Sequence, residues 1–132
     1  MRHIDPNHPY PSLGQLYVFE KDEKIVSEPT SRVTELTGID YNSLIDILGE
    51  PTYDTPSADE KVQKEWVVKY VPKDLADTPD SYIFRIYDYK TGSAWTTMTS
   101  LKEWSVGGIK GSNHVARELA ELVTKLNHIK EL

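Results

Sequence analysis

The chain has 132 residues, 38% hydrophobic and 27% charged, which is typical of one globular domain rather than a disordered segment. It contains no cysteine, which excludes disulfides, thiolate metal sites and cysteine nucleophiles. The net charge of −6 argues against nonspecific nucleic-acid binding, because neutralising phosphates requires clustered Lys and Arg. No apolar run is long enough to cross a bilayer, and the start of the chain lacks a signal-peptide core. We therefore expect a cytoplasmic protein with no membrane partner.

The first part of the chain predicts mostly irregular structure. Residues 1–14 contain three prolines and little apolar periodicity, so we expect a flexible arm ahead of a single domain over residues 15–132. In Leu16–Val26, LYVF and KIV flank the polar KDEK, which predicts a hairpin. Ser31–Gly38 is interpreted as containing a helical turn.

A short helix follows, with signals at both of its ends. Asp40 is a favourable N-cap, and the apolar residues of Tyr41–Leu48 form a face over about two turns. Gly49 stands where a left-handed C-cap residue is needed, and Pro51 prevents continuation. The sequence therefore predicts a helix over Tyr41–Leu48.

Three strands are predicted in the next segment. Lys61–Val71 alternates apolar and polar residues, which is typical of a sheet with one buried face. Tyr82–Tyr89 is expected to pair with it as a hairpin, and Glu103–Val106 is a third strand. The inward-facing side chains are Val62, Trp66, Val68, Tyr70, Phe84 and Ile86.

A long amphipathic helix ends the chain, capped by Ser112 or Asn113. Its apolar stripe recurs every three or four residues and consists of Val115, Leu119, Leu122, Leu126 and Ile129. The predicted fold class is α+β: an antiparallel sheet of three to five strands with the two helices packed on one face.

Catalytic patterns are not apparent in the sequence. No serine lies in a nucleophile-elbow context, and the carboxylates show no paired spacing that suggests acid–base catalysis. Histidines and carboxylates do not have metal-ligand spacing. We therefore expect a protein that is not an enzyme and carries no cofactor or metal.

The glycine-rich segment before the last helix suggests an anion site. Gly107 and Gly108 let a ligand approach the backbone closely, Lys110 adds a positive charge, and Ser112 and Asn113 offer donors at the helix N-terminus. The alternative interpretation is an ordinary strand-to-helix turn in which glycines supply positive φ.

Aromatic and basic residues near this segment favour a nucleotide, which needs a stacking surface as well as phosphate donors. Tyr87, Tyr89, Trp95 and Trp104 supply the rings, and Lys90 supplies charge. The predicted ligand-binding residues are Tyr89, Lys90, Trp104, Gly107, Gly108, Lys110, Ser112 and Asn113.

The segments LGEPT, KVQKEWVVKY, RIYDYK and EWSVGG resemble those of a set of small tailed-bacteriophage proteins, over roughly residues 40 to 125. The most specific parts are IYDYK and W-x-V-G-G, and the resemblance transfers no catalytic residues. A shorter likeness links the helix and Trp-containing strand to lipoprotein assembly factors, but the chain lacks their lipidation cysteine.

The phage resemblance implies an accessory protein that counters a defence of the infected bacterial host. One route is to bind and sequester a nucleotide-type signalling molecule, in a pocket completed by a homo-oligomer. The alternative is an inhibitor that docks its acidic segments, Asp54–Glu60 and Asp74–Asp80, on a host defence or CRISPR complex. A further alternative is a small structural protein of the virion.

Overall fold

The structure is a computed structural model that describes residues 1–25, 30–54, 64–73, 82–88 and 102–130. These residues form eight elements: β1 (Arg2–Ile4), β2 (Gln15–Val18), β3 (Ser31–Thr37), α1 (Tyr41–Leu48), β4 (Glu65–Val71), β5 (Ile83–Tyr87), β6 (Glu103–Gly108) and α2 (Asn113–Lys130). The six strands make one antiparallel sheet in the order β1-β2-β4-β5-β6-β3.

The α+β class and the long C-terminal helix are confirmed, but the sheet is larger than the three to five strands predicted. The two edge strands account for the difference. The strand β1 comes from the segment expected to be an arm, and β3 comes from the segment interpreted as a helical turn.

The N-terminal segment is docked on the sheet instead of extending from it. The strand β1 pairs with β2, placing Ile4 opposite Leu16. Both Ile4 and Leu13 are buried in the main core. The backbone N–H of Gly14 donates to the Tyr70 hydroxyl at 2.8 Å. Residues 1–14 thus contribute an edge strand and core side chains to the same unit as the rest of the sheet.

The hairpin predicted over Leu16–Val26 does not form as expected. The strand β2 pairs with β1 and β4, which are distant in sequence from its own continuation. Glu23 N–H donates to the Glu20 carbonyl at 3.1 Å and closes a turn. Ile25 then packs against a small apolar cluster with Phe19 instead of starting a strand, and Val26 lies outside the described residues.

The helix α1 confirms the prediction at both ends. The Asp40 carboxylate accepts from the backbone N–H of Ser43 at 2.8 Å, which satisfies a donor of the first turn. Gly49 has φ of 81° and its N–H donates to the Ile45 carbonyl at 2.8 Å. Leu44, Ile47 and Leu48, whose side chains point toward the sheet, are buried.

The β4–β5 hairpin is also confirmed, with Trp66 opposite Ile86 and Val68 opposite Phe84. These four side chains are buried on the face that the helices cover. The predicted outer ends of the two strands, at residues 61–63 and at Tyr89, lie outside the described residues.

The helix α2 crosses the sheet on the same face as α1. At its start the Asn113 side chain donates to the Val33 carbonyl of β3 at 3.3 Å, and near its end Leu126 lies beside β1. Val115, Leu119, Leu122 and Leu126 are buried as predicted, while Ile129 is half-buried. Within the described ranges, no helix is long and apolar enough to cross a membrane.

Candidate functional site

The glycines of the predicted anion site belong to the strand β6. Gly107 lies opposite Arg85 and Arg32, and Gly108 lies opposite Ser31, so both are part of the sheet. A Cβ at Gly108 would lie 2.7 Å from Ser112 Oγ and 2.8 Å from the Phe84 ring, whereas real Cβ atoms do not approach so closely. The chain itself therefore fills the space that glycine leaves open at this position.

The turn after β6 has its own internal hydrogen bonds. Ser112 is buried, its backbone N–H donates to the Ile109 carbonyl at 3.2 Å, and its hydroxyl donates to the same oxygen at 2.6 Å. Gly111 supplies the positive φ of 90°. Lys110 and Asn113 are exposed, and Asn113 is tied to Val33. Of the predicted donors in this segment, Lys110 offers the most accessible charge.

Trp104 lies in the core, not on a surface where a base could stack. Its indole N–H donates to the Ile39 carbonyl at 2.8 Å, and its ring meets the Trp66 ring edge-on with 5.5 Å between centroids. Tyr41 contacts both, with centroid distances of 6.0 Å to Trp66 and 6.3 Å to Trp104. The other predicted stacking residues, Tyr89 and Trp95, lie outside the described residues, as does Lys90.

A different surface feature lies where α1 leads into β4. After Gly49 ends the helix, Tyr53 forms a two-residue bridge with Glu65, with N···O distances of 3.0 and 2.9 Å. The backbone of Tyr53 is thereby fixed, while its side chain stays 41% exposed. We call Tyr41, Glu50, Tyr53 and Asp54 the acidic-aromatic patch. Of these four residues, only Asp54 belongs to a docking segment predicted from the sequence, Asp54–Glu60.

The acidic-aromatic patch contains two carboxylates and attracts lysine side chains of the same chain. Burial raises the pKa of the Tyr41 hydroxyl, and the nearby carboxylates of Glu50 and Asp54 raise it further. The chain's own lysines already gather there: Lys64 Nζ lies 5.8 Å from the Tyr41 ring centroid and donates to the Asp54 carbonyl at 3.2 Å. Lys21 Nζ lies 4.0 Å from the Asp54 carboxylate. The patch therefore accommodates ammonium groups beside both an aromatic ring and a carboxylate.

A half-buried ion pair lies on the face of the sheet that the helices leave open. Arg85 donates to Glu65 at 3.0 Å. Burial raises the pKa of the Glu65 carboxyl, and the Arg85 charge offsets part of this effect. The buried Asp88 carboxylate accepts from the Lys64 backbone N–H at 2.9 Å, so it acts as a backbone acceptor at the start of β4. These contacts stabilise the β4–β5 hairpin.

One cleft of about 370 Å³ opens between β1, α1 and α2. Its lining residues are His3, Ile4, Asp5, Ile47 and Leu126, which include no predicted ligand-binding residue. Across the described ranges, no group of three or more His, Cys, Asp or Glu side chains is arranged to hold a metal ion.

Comparison of the chain with protein-family models, curated proteins and solved structures finds no match.

Proposed function

We propose that the chain is a nonenzymatic protein-binding module that docks its acidic-aromatic patch on a basic surface of a partner protein. The observation that carries this proposal is the position of Tyr53, an exposed aromatic side chain on a backbone fixed by Glu65 and followed directly along the chain by the exposed Asp54. Tyrosines of this kind are common among the residues that contribute most to binding at protein interfaces.

The two components of the patch have different tasks in binding. The tyrosine ring buries apolar area and loses little conformational entropy, because its backbone is already held by Glu65. The carboxylates accelerate the encounter with a positively charged surface and exclude acidic partners. The chain continues directly from Asp54 into TPSADE, so Asp59 and Glu60 add two further negative charges in sequence.

The phage resemblance suggests the kind of partner. A small phage protein without catalytic motifs that binds a basic surface fits an inhibitor of a host defence complex, since complexes that hold nucleic acid expose such surfaces. In this proposal the protein acts in the cytoplasm of the infected cell by covering that surface.

Nucleotide sequestration is the second candidate, and the exposed Lys110 beside Gly111 at the start of α2 favours it. Calorimetry with a panel of cyclic and linear nucleotides tests it, with Lys110→Glu as the variant. Binding that Lys110→Glu abolishes supports this candidate. Absence of heat with every nucleotide, or unchanged affinity in the variant, contradicts it.

The protein-docking proposal is tested with a partner captured from host cells, purified, and measured by surface binding at several salt concentrations. Tyr53→Ala should weaken binding by about 2 kcal/mol, or about 30-fold, if the ring occupies the centre of the interface. Glu50→Lys combined with Asp54→Lys should slow association and reduce its dependence on salt.

The matched control is Glu121→Lys, since Glu121 is also an exposed acidic residue but lies on α2, where it pairs with Lys125. It should leave the association rate almost unchanged. The proposal is wrong if Tyr53→Ala and the double charge reversal both bind the partner as tightly as the wild type does.

A further inference from the structure

The strand β3 is an edge of the sheet with seven residues, Ser31–Thr37, and it pairs with β6 on one side. Among the residues that the structure describes, no further strand follows on its other side. An edge strand of this length can pair with another strand through its unpaired backbone groups, so proteins usually protect such edges with charges or a bulge. Both features are present in β3, and their arrangement selects one partner.

The bulge in β3 determines which side chains share a face. Arg32 lies opposite Gly107 and Thr34 lies opposite Val106, so Val33 is the extra residue between them. Glu35 lies opposite Ser105, two residues from Gly107, and therefore faces the same side as Arg32. This is the side without helices, and there Arg32 donates to Glu35.

The remaining residues of the strand face the helices. Thr34 and Leu36 lie opposite the core residues Val106 and Trp104. Val33, the bulged residue, packs against the same core. Arg32 and Glu35 therefore point to the face without helices, and the two residues between them point to the face that the helices cover. This order is symmetric about a point between Val33 and Thr34.

That symmetry fits a second copy of the strand. A two-fold axis perpendicular to the sheet between Val33 and Thr34 would place Arg32 of each copy opposite Glu35 of the other, on the same face. Ser31 lies opposite Gly108 and therefore faces the helix side, as Leu36 does. In the dimer, Ser31 of each copy would lie opposite Leu36 of the other, so this pair would also share a face. In a regular strand, residues 32 and 35 would point to opposite faces of the sheet, and this register would pair two side chains that do not meet. The bulge brings them to the same face and so makes this register possible.

We propose that two copies of the chain join their β3 strands antiparallel about this axis, forming one continuous sheet with the helices of both copies on the same side. The two Arg32–Glu35 pairs are complementary only in this register, and they oppose pairing with other strands. Asn113 already occupies the Val33 carbonyl with a 3.3 Å bond, so the ladder bonds come from the residues on either side. This inference does not depend on the proposed docking function.

Charge reversal with rescue between two variants tests the dimer. Sedimentation should show the wild type as a dimer that dissociates on dilution. Arg32→Glu and Glu35→Arg should each weaken dimerisation by about tenfold or more, because each homodimer then holds two like-charge pairs. An equimolar mixture of the two variants should form a heterodimer, since one copy is acidic and the other basic at both positions. Native mass spectrometry distinguishes it by mass.

The control is the ion pair of Glu121 and Lys125 on α2, which has similar exposure: 55% and 43%, against 49% for Glu35 and 56% for Arg32. Glu121→Arg and Lys125→Glu change the net charge by the same amounts and should leave the dimer intact. Recovery of the dimer in the mixture cannot come from the Arg32–Glu35 ion pair within one chain, because each variant still lacks that pair after mixing.

A cross-linking measurement tests the register directly in a chain with no other cysteine. Opposite residues of an antiparallel pair have Cα atoms about 5 Å apart, within reach of a disulfide, whereas two copies of residue 32 would be about 10 Å apart. Arg32→Cys mixed with Glu35→Cys should therefore form heterodimers and few homodimers. A monomeric wild type, a dimer unaffected by the reversals, a mixture without heterodimer, or random cross-linking would each overturn the proposal.

Discussion

The Thr52 hydroxyl takes the place of a backbone hydrogen bond that is missing between the end of β2 and the strand β4. Its buried hydroxyl donates to the Phe19 carbonyl at 2.8 Å and accepts from the Val67 N–H at 3.0 Å. Phe19 N–H also donates to the Val67 carbonyl at 2.9 Å, so the hydroxyl bridges the end of β2 to β4. We predict that Thr52→Val, which keeps the shape and removes the hydroxyl, destabilises the protein strongly.

The expected magnitude follows from the two backbone groups that lose a partner. A buried donor or acceptor left unsatisfied costs about 1–3 kcal/mol, so the two together should lower the free energy of unfolding by about 2–6 kcal/mol. Hydrophobic gain from the extra methyl is small, because the position is already filled. A change of this size is a large part of the stability of a typical domain.

Chemical denaturation at neutral pH measures this free energy directly. Thr52→Ser retains the hydroxyl and should recover most of the loss. Thr124→Val is the matched control, since the Thr124 hydroxyl donates to the Ala120 carbonyl on the exposed side of α2, and it should change the stability by less than about 0.5 kcal/mol. The reasoning is refuted if Thr52→Val behaves like Thr124→Val, or if Thr52→Ser loses as much as Thr52→Val.

Two further changes test the helix cap and the close packing of β6. The hydrogen bond from Ser43 N–H lowers the pKa of Asp40 below its ordinary 3.8, so its stabilisation is present above that value and is lost as the pH falls below it. Asp40→Ala should lower the free energy of unfolding by about 1 kcal/mol near neutral pH. Asp40→Asn should keep part of the cap and flatten the acid limb of a curve of stability against pH. An unchanged acid limb would contradict this. Gly108→Ala should lower the denaturation midpoint and cost about 1–3 kcal/mol, because its Cβ would overlap the Phe84 ring, whereas Gly107→Ala, with 3.2 Å to its nearest neighbours, should cost less. Equal midpoints for the two alanine variants would count against the packing argument.

The helices and the central hairpin were predictable because their signals are local. Asp40 and Gly49 carry the N-cap and the left-handed residue within one short segment, so the bounds of α1 agree with the prediction. The apolar stripe of α2 has the period of a helix over its whole length. Alternation around Trp66 and Phe84 identified the paired strands β4 and β5.

The strand β3 was misinterpreted because a bulge changes the spacing of its residues. Val33 and Leu36 are three residues apart and both apolar, which resembles one face of a helix. In the structure they share a face because Val33 is the extra residue of the bulge. Arg32 and Glu35 show the same spacing and form an ion pair that would be equally typical of a helix. A single sequence does not distinguish these two causes of one pattern.

The glycine-rich segment had an ambiguity of another kind. Adjacent glycines before a helix indicate that something must approach the backbone closely, but the sequence does not say what approaches. At Gly108 it is Ser112 and Phe84 of the same chain. Tyr53 gave no such signal, because its exposure depends on a bridge to Glu65 that joins residues twelve positions apart. Contacts between distant segments decide both positions, and local patterns do not contain them.

The proposed dimer would fix the relation between its two acidic-aromatic patches. Tyr53 pairs with β4 on the side away from β5, so four strand spacings separate it from β3. At about 4.8 Å per spacing, each patch lies about 22 Å from the axis and the two lie about 44 Å apart across the sheet. Both stay on the same face, because rotation about an axis perpendicular to the sheet does not exchange its faces. A dimer of this form gains avidity only on a target whose basic surfaces recur at that spacing, which favours a repetitive or oligomeric complex over a small monomeric partner.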